Sequence, residues 1–147
     1  MKVAIGSDHA GFDLKEKVRE YLAGTDVGVV DMGTNSSASV DYPDYAEKVA
    51  AEVRDGKVDR GILVCGTGIG VCISANKVHG IRAAPAWNPE IARLSRLHND
   101  ANILCLSGRF LEPAAATEIV KVWLETPFEG GRHQRRVDKI SALEARG

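Results

Sequence analysis

The chain has 147 residues, of which 44% are hydrophobic and 27% charged, and its formal net charge is −1. These values predict a single compact domain over residues 1–147, without the basic character of nucleic-acid-binding or membrane-surface proteins. Neither a membrane-spanning run nor a secretory signal is visible, and three cysteines do not suggest a disulfide framework, so we expect a reduced, cytoplasmic protein.

Short apolar strands alternate with amphipathic helices along the whole chain. Strands are predicted at residues 3–7, 27–31, 61–65, 81–84 and 103–107. Helices are indicated between them by apolar residues three or four apart, for example Leu14, Val18 and Leu22, and one helix is expected at 69–77. Pro113 opens a further helix, and a last one covers about 133–145. This order predicts a three-layer αβα, doubly wound, Rossmann-like α/β fold with a five-stranded parallel sheet and a C-terminal helix.

The third strand opens into a glycine-rich loop, Gly66-Thr67-Gly68-Ile69-Gly70, directly after Cys65. Bare N–H groups and a helix N-terminus can hold an anion there, including an enediolate. Taken alone, the same pattern is typical of a tight strand-to-helix turn beside a packed cysteine.

Known nucleotide motifs do not fit this loop. It lacks the Gly-Lys-Ser/Thr ending of a P-loop, and Val71 stands where a dinucleotide site has its third glycine. The four histidines are scattered without zinc spacing. We therefore predict no cofactor and no metal.

Six short motifs point to one enzyme family. They are Ser7-Asp8-His9-Ala10-Gly11, Asp41-Tyr42-Pro43, the glycine loop, Ala75-Asn76-Lys77, His98-Asn99-Asp100-Ala101-Asn102 and Gly130-Gly131-Arg132-His133. With these motifs in order, the chain resembles type B ribose-5-phosphate isomerases over essentially its whole length. The resemblance implies interconversion of ribose 5-phosphate and ribulose 5-phosphate through a cis-enediolate. Isomerases of allose, galactose and tetrose phosphates share this framework. A non-catalytic sugar-phosphate sensor and a nucleotide-binding module are the competing functional classes.

Three catalytic residues are implied by the resemblance. Cys65 would move the carbon-bound proton as a thiolate, a form that a neighbouring helix N-terminus favours. Some family members use a glutamate instead, where this sequence has Cys72 or apolar residues. Thr67, with the N–H groups of residues 66–70, would bind the developing oxyanion, and His98 would open the sugar ring. Without the resemblance, Thr67 would be interpreted as a helix cap and His98 as a packed or capping residue.

The resemblance also implies a substrate-binding set. Asn99 would bind a sugar hydroxyl; Asp8 would bind another hydroxyl or orient His98, or else cap the first helix. Tyr42 would line the pocket or pack in the core. The phosphate-binding cations are His9, Arg132 and Arg136, with Arg109 as a further candidate; Arg132 and Arg136 alone would suggest only an exposed basic face. Cys72 and Cys105 are assigned to packing.

A second subunit is expected. The segment at about 128–147 is polar and basic, so we expect it to dock on a partner rather than complete the core. The expected assembly is a homodimer or a dimer of dimers, with the active site at the interface and some arginines supplied by the partner. Within one chain, we expect the polar groups to converge beyond the carboxyl ends of the strands.

Overall fold

The computed structural model describes residues 1–147 and contains one parallel sheet with helices on both faces. The five strands are Lys2–Ser7 (β1), Gly28–Asp31 (β2), Arg60–Cys65 (β3), Ala83–Pro85 (β4) and Ile103–Ser107 (β5). The six helices are Phe12–Ala23 (α1), Tyr42–Arg54 (α2), Ile69–Ala75 (α3), Pro89–Asn99 (α4), Pro113–Glu125 (α5) and Arg132–Arg146 (α6). All neighbouring strands are parallel, in the order β2-β1-β3-β5-β4. The predicted three-layer, doubly wound fold is confirmed.

The sheet is buried on both faces, which explains why its central strands are continuous apolar runs. In β3, Ile62 and Val64 pack on one face with Trp123 of α5. Leu63 and Cys65 point to the other face, where α2 and α3 cover them. This alternation brings Cys65 to the end of β3 on the α2–α3 side of the sheet.

Two predicted boundaries differ from the structure by two residues, and the others differ by at most one. The strand expected at 81–84 is Ala83–Pro85, and the helix expected at 69–77 ends at Ala75. Asn76 follows the end of α3 and links it to β4: its Oδ1 accepts a hydrogen bond from the Ala83 N–H at 2.8 Å, and its Nδ2 donates to the Ala83 carbonyl at 2.9 Å. The Asn76 side chain thus satisfies both backbone hydrogen-bonding groups of Ala83 at the start of the edge strand.

A buried ion pair ties β2 to α1. The Lys15 side chain is fully buried, and its Nζ lies 2.8 Å from Asp31 Oδ1. Burial would raise the pKa of Asp31, but hydrogen bonds from Lys15 and the Gly33 N–H, with the charge of Arg19, hold that pKa below its ordinary value. The loop after β2 then pairs with the end of β1, which positions the segment that follows β1.

The C-terminal helix α6 packs along α4 and buries only His133 and Val137. Ile140 and Leu143 on the same helix remain 40% and 60% exposed. No helix in the fold is both long enough and apolar enough to cross a lipid bilayer.

Candidate active site

An open cleft of about 460 Å³ lies beyond the carboxyl end of β3. Most of the predicted site residues line it: Asp8, His9, Tyr42, Cys65, Gly66, Thr67, Ile69, Gly70 and Arg109. Ala10 and Ile73 complete the lining, and neither was expected to contact the substrate. The cleft therefore brings the thiol, the glycine loop and two potential cations together.

Cys65 is the last residue of β3, and only 4% of its surface is exposed. The N–H of Gly68 donates to its Sγ at 3.2 Å. This hydrogen bond fixes the Sγ atom against the turn of the glycine loop. The Oγ1 of exposed Thr67 accepts a hydrogen bond from the Ile69 N–H at 3.1 Å, which leaves its hydroxyl hydrogen available to a ligand.

Gly68 allows the loop to turn back so that its N–H faces Cys65. Its φ is +80°, and a Cβ at this position would lie 3.0 Å from the carbonyl carbon of Leu106. Both the left-handed backbone and the close approach to β5 therefore require glycine.

We expect Gly68→Ala to lower turnover at least tenfold. It should also lower the free energy of unfolding by more than the roughly 1 kcal/mol that the left-handed backbone conformation alone costs an alanine. Gly80→Ala is the matched control, because Gly80 has a φ of +84° with nothing within 4 Å of its added Cβ. Urea unfolding and steady-state rates of the two variants make the comparison. Equal effects of the two substitutions would contradict a special role for the Gly68 turn.

Tyr42 and Arg109 lie directly over two glycines of the loop. A Cβ at Gly70 would lie 2.5 Å from Tyr42 Cε1, and one at Gly66 would lie 3.2 Å from Arg109 Nε. Tyr42 is 41% exposed, so it lines the cleft rather than the core. The Arg109 guanidinium places a permanent positive charge at the cleft, next to the loop.

Asp8 and His9 follow β1 on the other side of the cleft. Asp8 is buried and accepts a hydrogen bond from the Gly11 N–H at 2.9 Å, whereas the first turn of α1 has no side-chain cap. His9 Nδ1 accepts from the Val40 N–H at 3.1 Å. This contact places the hydrogen of a neutral His9 ring on Nε2, where it can donate to an anion.

His98 and Asn99 lie near the amino ends of the strands, at the opposite end of the sheet from Cys65. Cys65 pairs with Ser107, the last residue of β5, whereas Asn99 lies four residues before β5 begins. The length of β5 alone is about 13 Å. A helix that follows a parallel strand runs back to the end of the sheet where the strands begin. The expectation that His98 and Asn99 converge with Cys65 within one chain is therefore wrong. Asp8 cannot orient His98 of its own chain for the same reason.

A second polar cluster surrounds His98. The rings of His98 and His133 stack with centroids 4.3 Å apart and an interplanar angle of 14°. His133 is buried, its Nε2 has no hydrogen-bond partner, and that atom lies 3.8 Å from Glu129 Oε2. Burial lowers the pKa of His133, and the neighbouring His98 lowers it further.

Arg132 and Arg136 belong to this second cluster, since they occupy the first turns of α6 beside His133, and both are exposed. Glu129 was not singled out from the sequence, although it lies four residues before His133; His98 joins this pair only when α6 folds back along α4. Glu129 itself is tied to that helix by its N–H, which donates to the Leu97 carbonyl at 3.1 Å. Each chain thus carries one cluster around Cys65 and another around His98.

The other two cysteines, Cys72 and Cys105, are packed away from the cleft. Cys105 is buried, and its pKa is raised by burial and by the nearby Cys72, so it stays a neutral thiol. The Cys72 thiol donates to the Ala83 carbonyl at 3.4 Å. Neither cysteine lines the cleft around Cys65.

Comparison with known proteins places the chain among sugar-phosphate enzymes. Residues 3–140 match the family model described as Ribose/Galactose Isomerase. Ribose-5-phosphate isomerase B of Escherichia coli is 50% identical over 145 residues, covering 99% of this chain and 97% of its own. The structure of Clostridium thermocellum ribose-5-phosphate isomerase B superposes with a TM-score of 0.98 at 51% identity, covering 99% of both chains. A Mycoplasma genitalium ribose-5-phosphate isomerase B structure with bound ribulose-5-phosphate has a TM-score of 0.94 at 47% identity, covering 99% of this chain and 97% of its own.

Proposed function

Because this chain belongs to the ribose/galactose isomerase family and is an aldose–ketose isomerase, we propose that it interconverts ribose 5-phosphate and ribulose 5-phosphate. The observation that carries the proposal is the Cys65 thiol, held by the Gly68 N–H in a cleft shared with Thr67 and two phosphate-binding candidates. Relatives and solved structures bearing this activity match over the whole chain, which supports pentose phosphate as the substrate.

Proton transfer between C1 and C2 is assigned to Cys65. Its thiolate removes the proton on C2 of the open-chain aldose, and the electron pair moves onto the C1 oxygen to give the cis-enediolate. The Thr67 hydroxyl and the loop N–H groups of residues 66–70 stabilise that oxygen as its charge develops. After a proton passes from the C2 hydroxyl to the C1 oxygen, the thiol returns its proton to C1, which gives the ketose.

Two side chains of the cleft, His9 and Arg109, are assigned to phosphate binding. The Nε2–H of His9 and the guanidinium of Arg109 can both donate to phosphate oxygens, and Arg109 can do so in bidentate fashion. The remaining groups of the proposed machinery are His98 for ring opening, Asn99 for a sugar hydroxyl, and Arg132 and Arg136 for the phosphate.

A second copy of the chain would supply those remaining groups. Within one chain they lie at the edge of the sheet opposite Cys65, so only a partner can bring them to the cleft. The exposed Ile140 and Leu143 on α6 give the segment at about 128–147 an apolar surface with which to dock on that partner. We therefore propose a homodimer with two composite active sites.

Mixing two inactive variants tests this arrangement. Cys65→Ala and His98→Ala should each be slow with ribose 5-phosphate in the presence of EDTA. After co-refolding in equal amounts, half of the dimers are mixed, and each mixed dimer has one intact site, so about a quarter of wild-type turnover should return. NMR in D₂O follows both ribulose 5-phosphate and deuterium incorporation.

Two results would count against the proposal. If the mixture regains nothing although mixed dimers form, each site draws on a single chain and the composite arrangement is wrong. If the wild-type protein itself converts no ribose 5-phosphate, the assignment of the pentose substrate is wrong.

A further inference from the structure

The His98, Glu129 and His133 side chains converge outside the Cys65 cleft. One donor atom from each residue lies within 4.8 Å of the other two. The sequence predicted no metal because His98 and His133 are 35 positions apart, and only the packing of α6 on α4 brings them together. Two imidazoles and a carboxylate are a donor set that divalent zinc accepts.

The surroundings leave these donors available. His133 is 4% exposed, and its buried Nε2 has no hydrogen-bond partner. A buried nitrogen without a partner is uncommon in folded proteins, and a bound ion is one way to satisfy it. The Glu129 carboxylate lies 3.8 Å from it and is 56% exposed, so it is free to move towards an ion.

The distances suit a small ion after modest adjustment. Tetrahedral zinc with ligand bonds of about 2.0–2.2 Å needs its donors about 3.4 Å apart. A separation of up to 4.8 Å must therefore close by as much as about 1.4 Å. The nearly parallel His98 and His133 rings direct their nitrogen lone pairs side by side, so His98 would have to rotate out of the stack, with exposed Glu129 moving towards the fixed His133.

We propose that His98, Glu129 and His133 form a binding site for a divalent transition-metal ion, with Zn²⁺ as the best-fitting species. A bound ion occupies a nitrogen of His98, so that this ring can no longer exchange a proton with a sugar. The site therefore also inhibits the isomerase, a consequence that rests on the proposed role of His98.

Calorimetric titration of Zn²⁺ into the EDTA-treated and dialysed full-length protein tests the site. We expect one ion per chain, and at least tenfold weaker binding in His133→Phe, in His98→Phe and in Glu129→Gln. Glu129→Gln changes an exposed residue outside the proposed isomerase machinery, so it remains informative if a core substitution unfolds the chain. His79→Ala, at an exposed histidine elsewhere, is the matched control and should bind Zn²⁺ like the wild type.

Cys65 is the competing ligand, since a thiolate also binds zinc. Cys65→Ala should bind Zn²⁺ as the wild type does, and the Co²⁺-substituted protein should lack a thiolate charge-transfer band. Loss of binding in Cys65→Ala, or unchanged binding in both Glu129→Gln and His133→Phe, would overturn the proposed site.

Turnover separates the metal site from the isomerase mechanism. Zn²⁺ should inhibit the wild-type enzyme reversibly, with release by EDTA, and should inhibit Glu129→Gln at least tenfold more weakly. If the binding results hold and saturating Zn²⁺ leaves turnover unchanged, the metal site is supported and the catalytic role of His98 fails.

Discussion

Cys65→Ala is expected to lower kcat for ribose 5-phosphate by about a thousandfold while leaving substrate binding nearly unchanged. The thiol lies at the end of β3 with the Gly68 N–H on its Sγ, and no other nucleophile or base of the cleft replaces it at that position. The phosphate-binding candidates remain in place, so the loss should fall on kcat rather than on KM. Steady-state kinetics and titration with a non-reactive sugar phosphate distinguish these two effects.

Cys72→Ala is the matched control for this substitution. Cys72 is half-buried beside β4 and lies outside the cleft, so its removal should leave kcat within a factor of about two. Deuterium exchange from D₂O into the substrate gives a second readout, which should vanish in Cys65→Ala and persist in Cys72→Ala. Substantial turnover and exchange in Cys65→Ala would remove the thiol from the role of base.

The sheet could be predicted because its signals are local. Apolar runs bounded by glycines marked the central strands β3 and β5, and β5 has the bounds expected from the sequence. The short edge strand β4 begins at Ala83, two residues later than predicted, where the Asn76 side chain bonds both backbone groups of that residue. Such a contact between a side chain and the backbone leaves no trace in hydrophobic periodicity.

The candidate site was predicted in part for a similar reason. Cys65 and the glycine loop are contiguous in sequence, and the residues after β1 reach the same cleft because parallel strands end at one edge. His98 was expected there too, although α4 carries it back to the opposite edge. The His98–His133 stack depends on the return of α6, which follows from tertiary packing rather than from spacing along the chain.

His98→Ala is expected to lower turnover of ribose 5-phosphate by about a hundredfold, because this substrate is almost entirely a closed ring that must be opened. An aldose tetrose 4-phosphate cannot form a furanose ring, since its fourth oxygen carries the phosphate. Any activity on that substrate should therefore change little in the variant. Steady-state rates with both aldose phosphates, measured in EDTA, give the comparison.

Two further measurements separate ring opening from a structural contribution of His98. His98→Phe keeps a ring to stack on His133 but cannot transfer a proton, so it should show the same selective loss as the alanine variant. Ribulose 5-phosphate is also open-chain, and exchange of its C1 hydrogen with D₂O requires the Cys65 thiolate but no ring opening. That exchange should persist in both variants. If the two aldose phosphates and the exchange reaction all slow equally, His98 supports the structure of the site and does not open the ring.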